Sequence, residues 1–180
     1  MRRLCASLVI SLLSISVYTP RAAAQRNEAT LSEGEVEQLR DAAYVANDRV
    51  MVFIKLINTR IRALEDLYAK PRRPGREQDT HDLMEQFTSL ANELEDNLDD
   101  YSERHRDIRK ALPKLIEASD RWGTAIRTPA DDAAYNVSRK IALESLEDVR
   151  QQANQVLQEQ KAWFAAHPPK KDENKDLAPR

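Results

Sequence analysis

Cysteine, glycine and histidine are scarce in this sequence, and each scarcity removes a class of chemistry. Cys5 is the single cysteine among 180 residues. It lies in an N-terminal segment that reads as removable, so the rest of the chain offers no cysteine nucleophile, thiolate metal site or CxxCH haem attachment. A chain of this size buries one sizeable core without disulfides, so the lack costs it nothing structural. Three glycines do not build a Gly-x-Gly-x-x-Gly turn, a phosphate loop or a Gly-x-Ser-x-Gly elbow. His81, His105 and His167 are the only imidazoles, and neither HExxH nor the paired Glu-x-x-His of di-iron bundles occurs. No stretch alternates with the period of two that a strand requires. These absences point away from an enzyme, and no cofactor or metal is expected.

The first 24 residues carry a positive end at Arg2 and Arg3, an apolar run from Leu4 to Val17, and small residues at Ala22-Ala23-Ala24. That is the layout of a secretory signal peptide, and Pro20 with Arg21 ends the apolar run short of a membrane span. Without Arg2, Arg3 and Arg21, 25 basic residues stand against 30 acidic ones, a formal charge of −5. Such a balance does not suit non-specific nucleic-acid binding, which relies on a basic footprint. The protein is therefore expected outside the cytoplasm, in a periplasm or beyond it, with no transmembrane helix once the signal is removed.

What the sequence has in abundance is helical periodicity. Charged residues make up 32% of the chain, and with so few glycines this composition favours long helices. From Asp79 to Ile126 the residues Leu83, Phe87, Leu90, Leu94, Leu98, Tyr101, His105, Ile108, Leu112, Leu115, Ser119, Trp122 and Ile126 recur at steps of three or four, one side of a helix. This run reads as one long central helix, kinked near Pro113 with its apolar stripe continuing, or broken near Ser102.

Before it, residues 25–31 form a short polar leader, and Ser32 with Glu35 make a capping box that starts a first helix running to Pro71. Asn47-Asp48 is the place where that helix is expected to bend, because both residues prefer caps to interiors. Lys70-Pro71-Arg72-Arg73-Pro74-Gly75-Arg76 is a loop, with Asp79 or Thr80 as the next cap. Thr128-Pro129-Ala130-Asp131 reads as the start of a last helix that ends near Ala166, before His167-Pro168-Pro169. Residues 168–180 form a charged tail too polar to fold.

Three amphipathic helices over residues 32–167 predict an all-α fold: an elongated up-down-up antiparallel three-helix bundle with coiled-coil-like packing, or four helices if the central one breaks. Up-down-up topology gathers Tyr68, Phe87, Trp163 and Phe164 at one pole, and Leu39, Trp122 and Tyr135 at the other.

Chemistry is sparse on this scaffold. The acidic run lacks the glycine and final glutamate of an EF-hand loop. His105 falls on the seam between Tyr101 and Ile108. Asn136-Val137-Ser138 matches a glycosylation acceptor inside a helix. The best candidate is a partner-binding surface on the central helix, where an acidic half, Glu93, Asp96, Asp99, Asp100 and Glu103, meets a basic half, Arg104, Arg106, Arg109 and Lys110. Partner capture or self-association is the expected role of an exported, non-enzymatic interaction or structural module. The alternative is a small periplasmic chaperone that holds unfolded clients, a role some all-helical envelope proteins perform. Leu31-Ser32-Glu33 also resembles the opening of the Leu-Thr repeat of periplasmic stress chaperones, but the glutamine that completes it is absent and no function is carried over from it.

Overall fold

The computed structural model describes residues 31–168. The expected signal segment, the leader before Leu31 and the tail after Pro168 lie outside the described residues. Within them the chain is all-helical: α1 (Glu33–Asp41), a 3-10 turn (Ala42–Tyr44), α2 (Ala46–Ala69), α3 (Arg76–Glu103), α4 (Leu112–Arg127) and α5 (Asn136–Ala166). Among the described residues no helix is long and apolar enough to cross a membrane.

The expected first helix is two. Ser32 and Glu35 do form the capping box, but the chain turns back at Ala42–Val45, where Val45 is extended. Asn47 and Asp48 occupy the first turn of α2, just past the bend, and Asn47 bonds the backbone at Asp107 and Ala111 rather than capping its own helix. Helix α1 folds back antiparallel along α2, with Gln38 beside Lys55 and Glu35 beside Arg60. Helix α2 ends at Ala69 because Lys70, preceding Pro71, is pushed to an extended conformation. Gly75, at φ 83°, supplies the left-handed turn that starts α3 at Arg76, three residues before the anticipated cap.

The central helix breaks, and the break falls close to Ser102 rather than at Pro113. Helix α3 closes with a Schellman turn: the Arg106 amide donates to the Tyr101 carbonyl at 2.9 Å and the His105 amide to Ser102 at 3.1 Å. His105 takes the left-handed position, φ 50°, that glycine usually holds. Pro113 then sits in the first turn of α4, where a missing N–H costs nothing. Residues 104–111 cross diagonally over the end of the bundle. Helix α4 consequently runs parallel to α2, with Asn47 beside Ala111 and Asn58 beside Trp122. Helix α5 runs parallel to α3, with His81 beside Ser138 and Asp99 beside Gln152.

Four long helices therefore surround one core, α3 and α4 each packing on α2 and α5, where three had been expected. Phe87 and Trp122 meet across the diagonal, edge to face at 6.0 Å. The reversal also corrects the expected poles. Tyr68 hydrogen-bonds Tyr135 at the end carrying the 70–75 turn, while Trp163 and Phe164 lie at the crossover end beside His105 and Arg109.

The last helix begins at Asn136, not at Thr128. Thr128 stays bonded to the carbonyl of Thr124 as the end of α4, and Pro129 opens a loop closed by its own side chains. Tyr135 donates to the Ala130 carbonyl at 2.6 Å, Arg139 to the Pro129 carbonyl at 2.7 Å, and Asn136 accepts the Asp132 amide at 3.0 Å. The sequon asparagine is thus a loop-closing residue.

Candidate functional site

The candidate residues from Glu93 to Lys110 fall into two groups, an acidic face of α3 and a basic stretch of the crossover. Glu93 is half-buried and turned toward Arg49, 3.8 Å away. Burial raises its pKa above the usual carboxylate value, and Arg49 offsets only part of that. Asp99 lies at the α5 edge of the same outer side and accepts a hydrogen bond from Gln152. Asp100 pairs with Arg104 at 2.7 Å, and Asp96 and Glu103 are exposed to water. Neighbouring Glu95 has its pKa raised by burial first and then by Asp148, Asp99 and Asp96. The acidic half lies on the outer side of α3, because three- and four-residue steps keep Glu93, Asp96, Asp100 and Glu103 on one face opposite the buried Leu90, Leu94 and Leu98.

The basic half is brought together, because it lies in the crossover. Arg106 donates to the Tyr44 carbonyl at 2.9 Å and covers the Tyr101 ring at 5.2 Å. Arg109 pairs with Asp107 at 2.7 Å and lies 4.2 Å over the Phe164 ring, a cation–π contact that holds a guanidinium over an aromatic face. That hydrogen-bonded pairing holds the Asp107 carboxyl below its ordinary pKa. Arg104 and Lys110 are exposed beside them.

An aromatic stack adjoins these cations. His105 is exposed rather than on the seam, and its ring stacks on Trp163 at 4.2 Å and 17°. The other face of Trp163 is covered by His167 at 4.5 Å and 20°, and Phe164 meets it edge-on at 4.7 Å. Periodicity could not foresee this stack, because His105 and Trp163 are brought together only by the diagonal crossing. The two histidines flanking one tryptophan are its trace in the sequence.

Two buried or half-buried amides hold the crossover in place. Gln160, 2% exposed, accepts the Ile108 amide at 3.0 Å and donates to the Arg106 carbonyl at 2.8 Å. Asn47 donates to the Asp107 carbonyl at 2.6 Å and accepts the Ala111 amide at 3.0 Å. Each therefore satisfies one donor and one acceptor of a backbone segment that no helix serves. Replacing Gln160 by methionine should destabilise the protein by about 2–3 kcal/mol, because the buried Ile108 amide is left without that acceptor. Urea unfolding measures the loss, and Trp163 emission should report loosening at this pole.

Elsewhere the charged groups are occupied locally. Arg72 and Arg73 of the basic loop pair with Glu77 and Asp79 in the first turn of α3, and Arg76 lies 4.7 Å over the Tyr68 ring. His81 reaches Ser138 and Glu85. Among the described residues no group of three or more histidines, cysteines or acids is placed to hold a metal ion.

Fold and site together define a diagonally crossed helical bundle with a cationic, aromatic pole. No family model matches the chain, and neither a curated protein nor a solved structure matches it.

Proposed function

We propose that this is an exported, non-enzymatic helical-bundle protein of a bacterial-type envelope, working as a protein-interaction module that docks its partner at the crossover pole. The observation that carries the reading is the make-up of that pole. The crossover carries Arg104, Arg106, Arg109 and Lys110, with Arg109 over half-buried Phe164 and Arg106 bonded to the carbonyl of Tyr44, which is 88% exposed. Arginine and aromatic side chains are the groups enriched at protein interfaces, and none of these cations fills the core. The partner that fits presents acidic groups next to an apolar contact. Export is supported by the charge, apolar run and small residues of the N-terminal segment. The non-enzymatic reading rests on a sequence without nucleophile, metal or cofactor patterns.

In-cell photo-cross-linking from Tyr44 of the tagged protein tests this. One dominant partner is expected, and changing Arg104, Arg109 and Lys110 to glutamine should cut its capture at least tenfold. Arg106 is left intact because it ties down the Tyr44 carbonyl. Undiminished capture by the triple variant would remove the pole from consideration, and a broad set of unfolded envelope proteins would replace the adaptor by a holding chaperone.

A further inference from the structure

We infer that α1 is an exchangeable arm, and that two copies of this chain form a two-fold dimer by each docking α1 on the α2 of the other. Helix α1 has nine residues, too few to persist as a helix without support. Its support is side-chain recognition. Arg60, 8% exposed, grips Glu35 with a 2.9 Å bond from Nη2 to Oε2, Lys55 donates to Gln38 at 2.6 Å, and Arg49 donates to the Leu39 carbonyl at 2.9 Å.

The segment that bends the chain back is weakly marked for it, since the cap-preferring pair Asn47-Asp48 lies just past the turn. Residues 41–46 are Asp-Ala-Ala-Tyr-Val-Ala, with neither glycine nor proline and with alanine, the strongest helix former, at three positions. Val36, Leu39, Ala43, Ala46 and Val50 keep helical spacing straight through it. Docking of α1, not the turn, imposes the bend. If the turn straightens, residues 33–69 become one helix, and the α1 stripe leaves its groove.

A second copy restores the contacts that α1 makes with α2. Helix α1 is antiparallel to its own α2, so two straightened chains crossing near Ala46–Asp48 place each arm antiparallel on the other copy's α2, with Glu35 of one facing Arg60 of the other and Gln38 facing Lys55. That closed, two-fold arrangement is the low-cost route to a dimer. Straightening breaks the bond from Arg106 to the Tyr44 carbonyl and gains helical backbone bonds through the former turn. A cleft of about 460 Å³ lined by Leu31, Val36, Leu39, Ala43, Arg49 and Glu93 shows that the arm fills its groove incompletely. Arg60, Lys55 and Arg49 complement groups of this sequence's own arm, which makes a second copy the occupant.

Charge complementation tests the exchange. Glu35→Arg and Arg60→Glu each set like charges against the native docking, so each alone should be monomeric. In their mixed dimer one site pairs Glu35 with Arg60 and the other pairs the two introduced charges. Native mass spectrometry of the equimolar mixture should show a one-to-one species at least tenfold more abundant than either homodimer, and a mixture that is only the sum of its parts would overturn the proposal.

A second measurement leaves the docking residues untouched. With Cys5→Ser, spin labels at Glu37 and Thr59, diluted with unlabelled protein, should give a short distance and one near 33 Å, the span of 22 residues in a straight helix at about 1.5 Å each. The long distance should grow with protein concentration. A short distance alone at every concentration would overturn the exchange. Neither test alters the pole cations, so a failure here is separate from a failure of the docking reading.

Discussion

Replacing Trp122 by alanine should destabilise the bundle by about 3–5 kcal/mol, the range for deleting a buried large aromatic. The side chain is fully buried and sits where the two diagonal helices meet, edge-on to Phe87. Its indole N–H donates to Asn58 Oδ1 at 2.9 Å. Truncation therefore leaves a cavity that four helices border and strips the amide oxygen of its donor. Phenylalanine at the same place fills most of the space without the hydrogen bond and should recover more than half of the loss. Urea midpoints of the two variants separate packing from hydrogen bonding; equal losses would show that the Asn58 bond, not volume, dominates.

The second large effect is a pH dependence centred on Glu35. The hydrogen bond from Arg60 is the main cause that lowers its pKa from 4.5 to about 2, helped by the Ser32 amide and opposed by partial burial. An acid with a depressed folded-state pKa stabilises the fold fully above the unfolded value. That stabilisation drains away as pH falls from about 4.5 toward about 2, because the unfolded chain takes up the proton first. The contribution at neutral pH is about 2–3 kcal/mol. Glu35→Gln keeps the capping geometry but removes the charge. The stability difference between wild type and variant should be largest above pH 5 and vanish near pH 2. A difference that stays constant with pH would mean that the Arg60 contact is worth the same to a neutral partner.

The parts of this fold that were legible in the sequence are those whose cause is local. The Ser32–Glu35 box, the loop at Pro71 to Gly75 and the end of α5 before Pro168 each depend on residues within one turn of chain. The break at 104–111 has no such marker. His105 stands where glycine would have announced a helix end, and Tyr101, His105, Ile108, Leu112 and Leu115 keep three-four spacing across the crossing. Hydrophobic periodicity records which residues are buried, and it is blind to a reversal of direction when the spacing survives. Pro113 was misleading for a related reason, since the same residue that kinks a helix interior fits its first turn without cost. The candidate site fared likewise. Three- and four-residue spacing holds the acids from Glu93 to Glu103 on the outer side of α3, but the basic half leaves that face because Arg104, Arg106, Arg109 and Lys110 are not helical. His105, Trp163 and His167 meet only through the diagonal crossing.

The two amides that hold the crossover also set a timetable for folding. Asn47 is made early and Gln160 late, yet both are bonded to the same eight-residue crossing, between Arg106 and Ala111. A growing chain that has completed α2 and α3 can serve the Asp107 carbonyl and the Ala111 amide through Asn47, but the Ile108 amide and the Arg106 carbonyl wait for Gln160 in the last turns of α5. The hairpin made first therefore waits, half-locked, for the end of the bundle, and folding belongs to the finished polypeptide rather than to its nascent half.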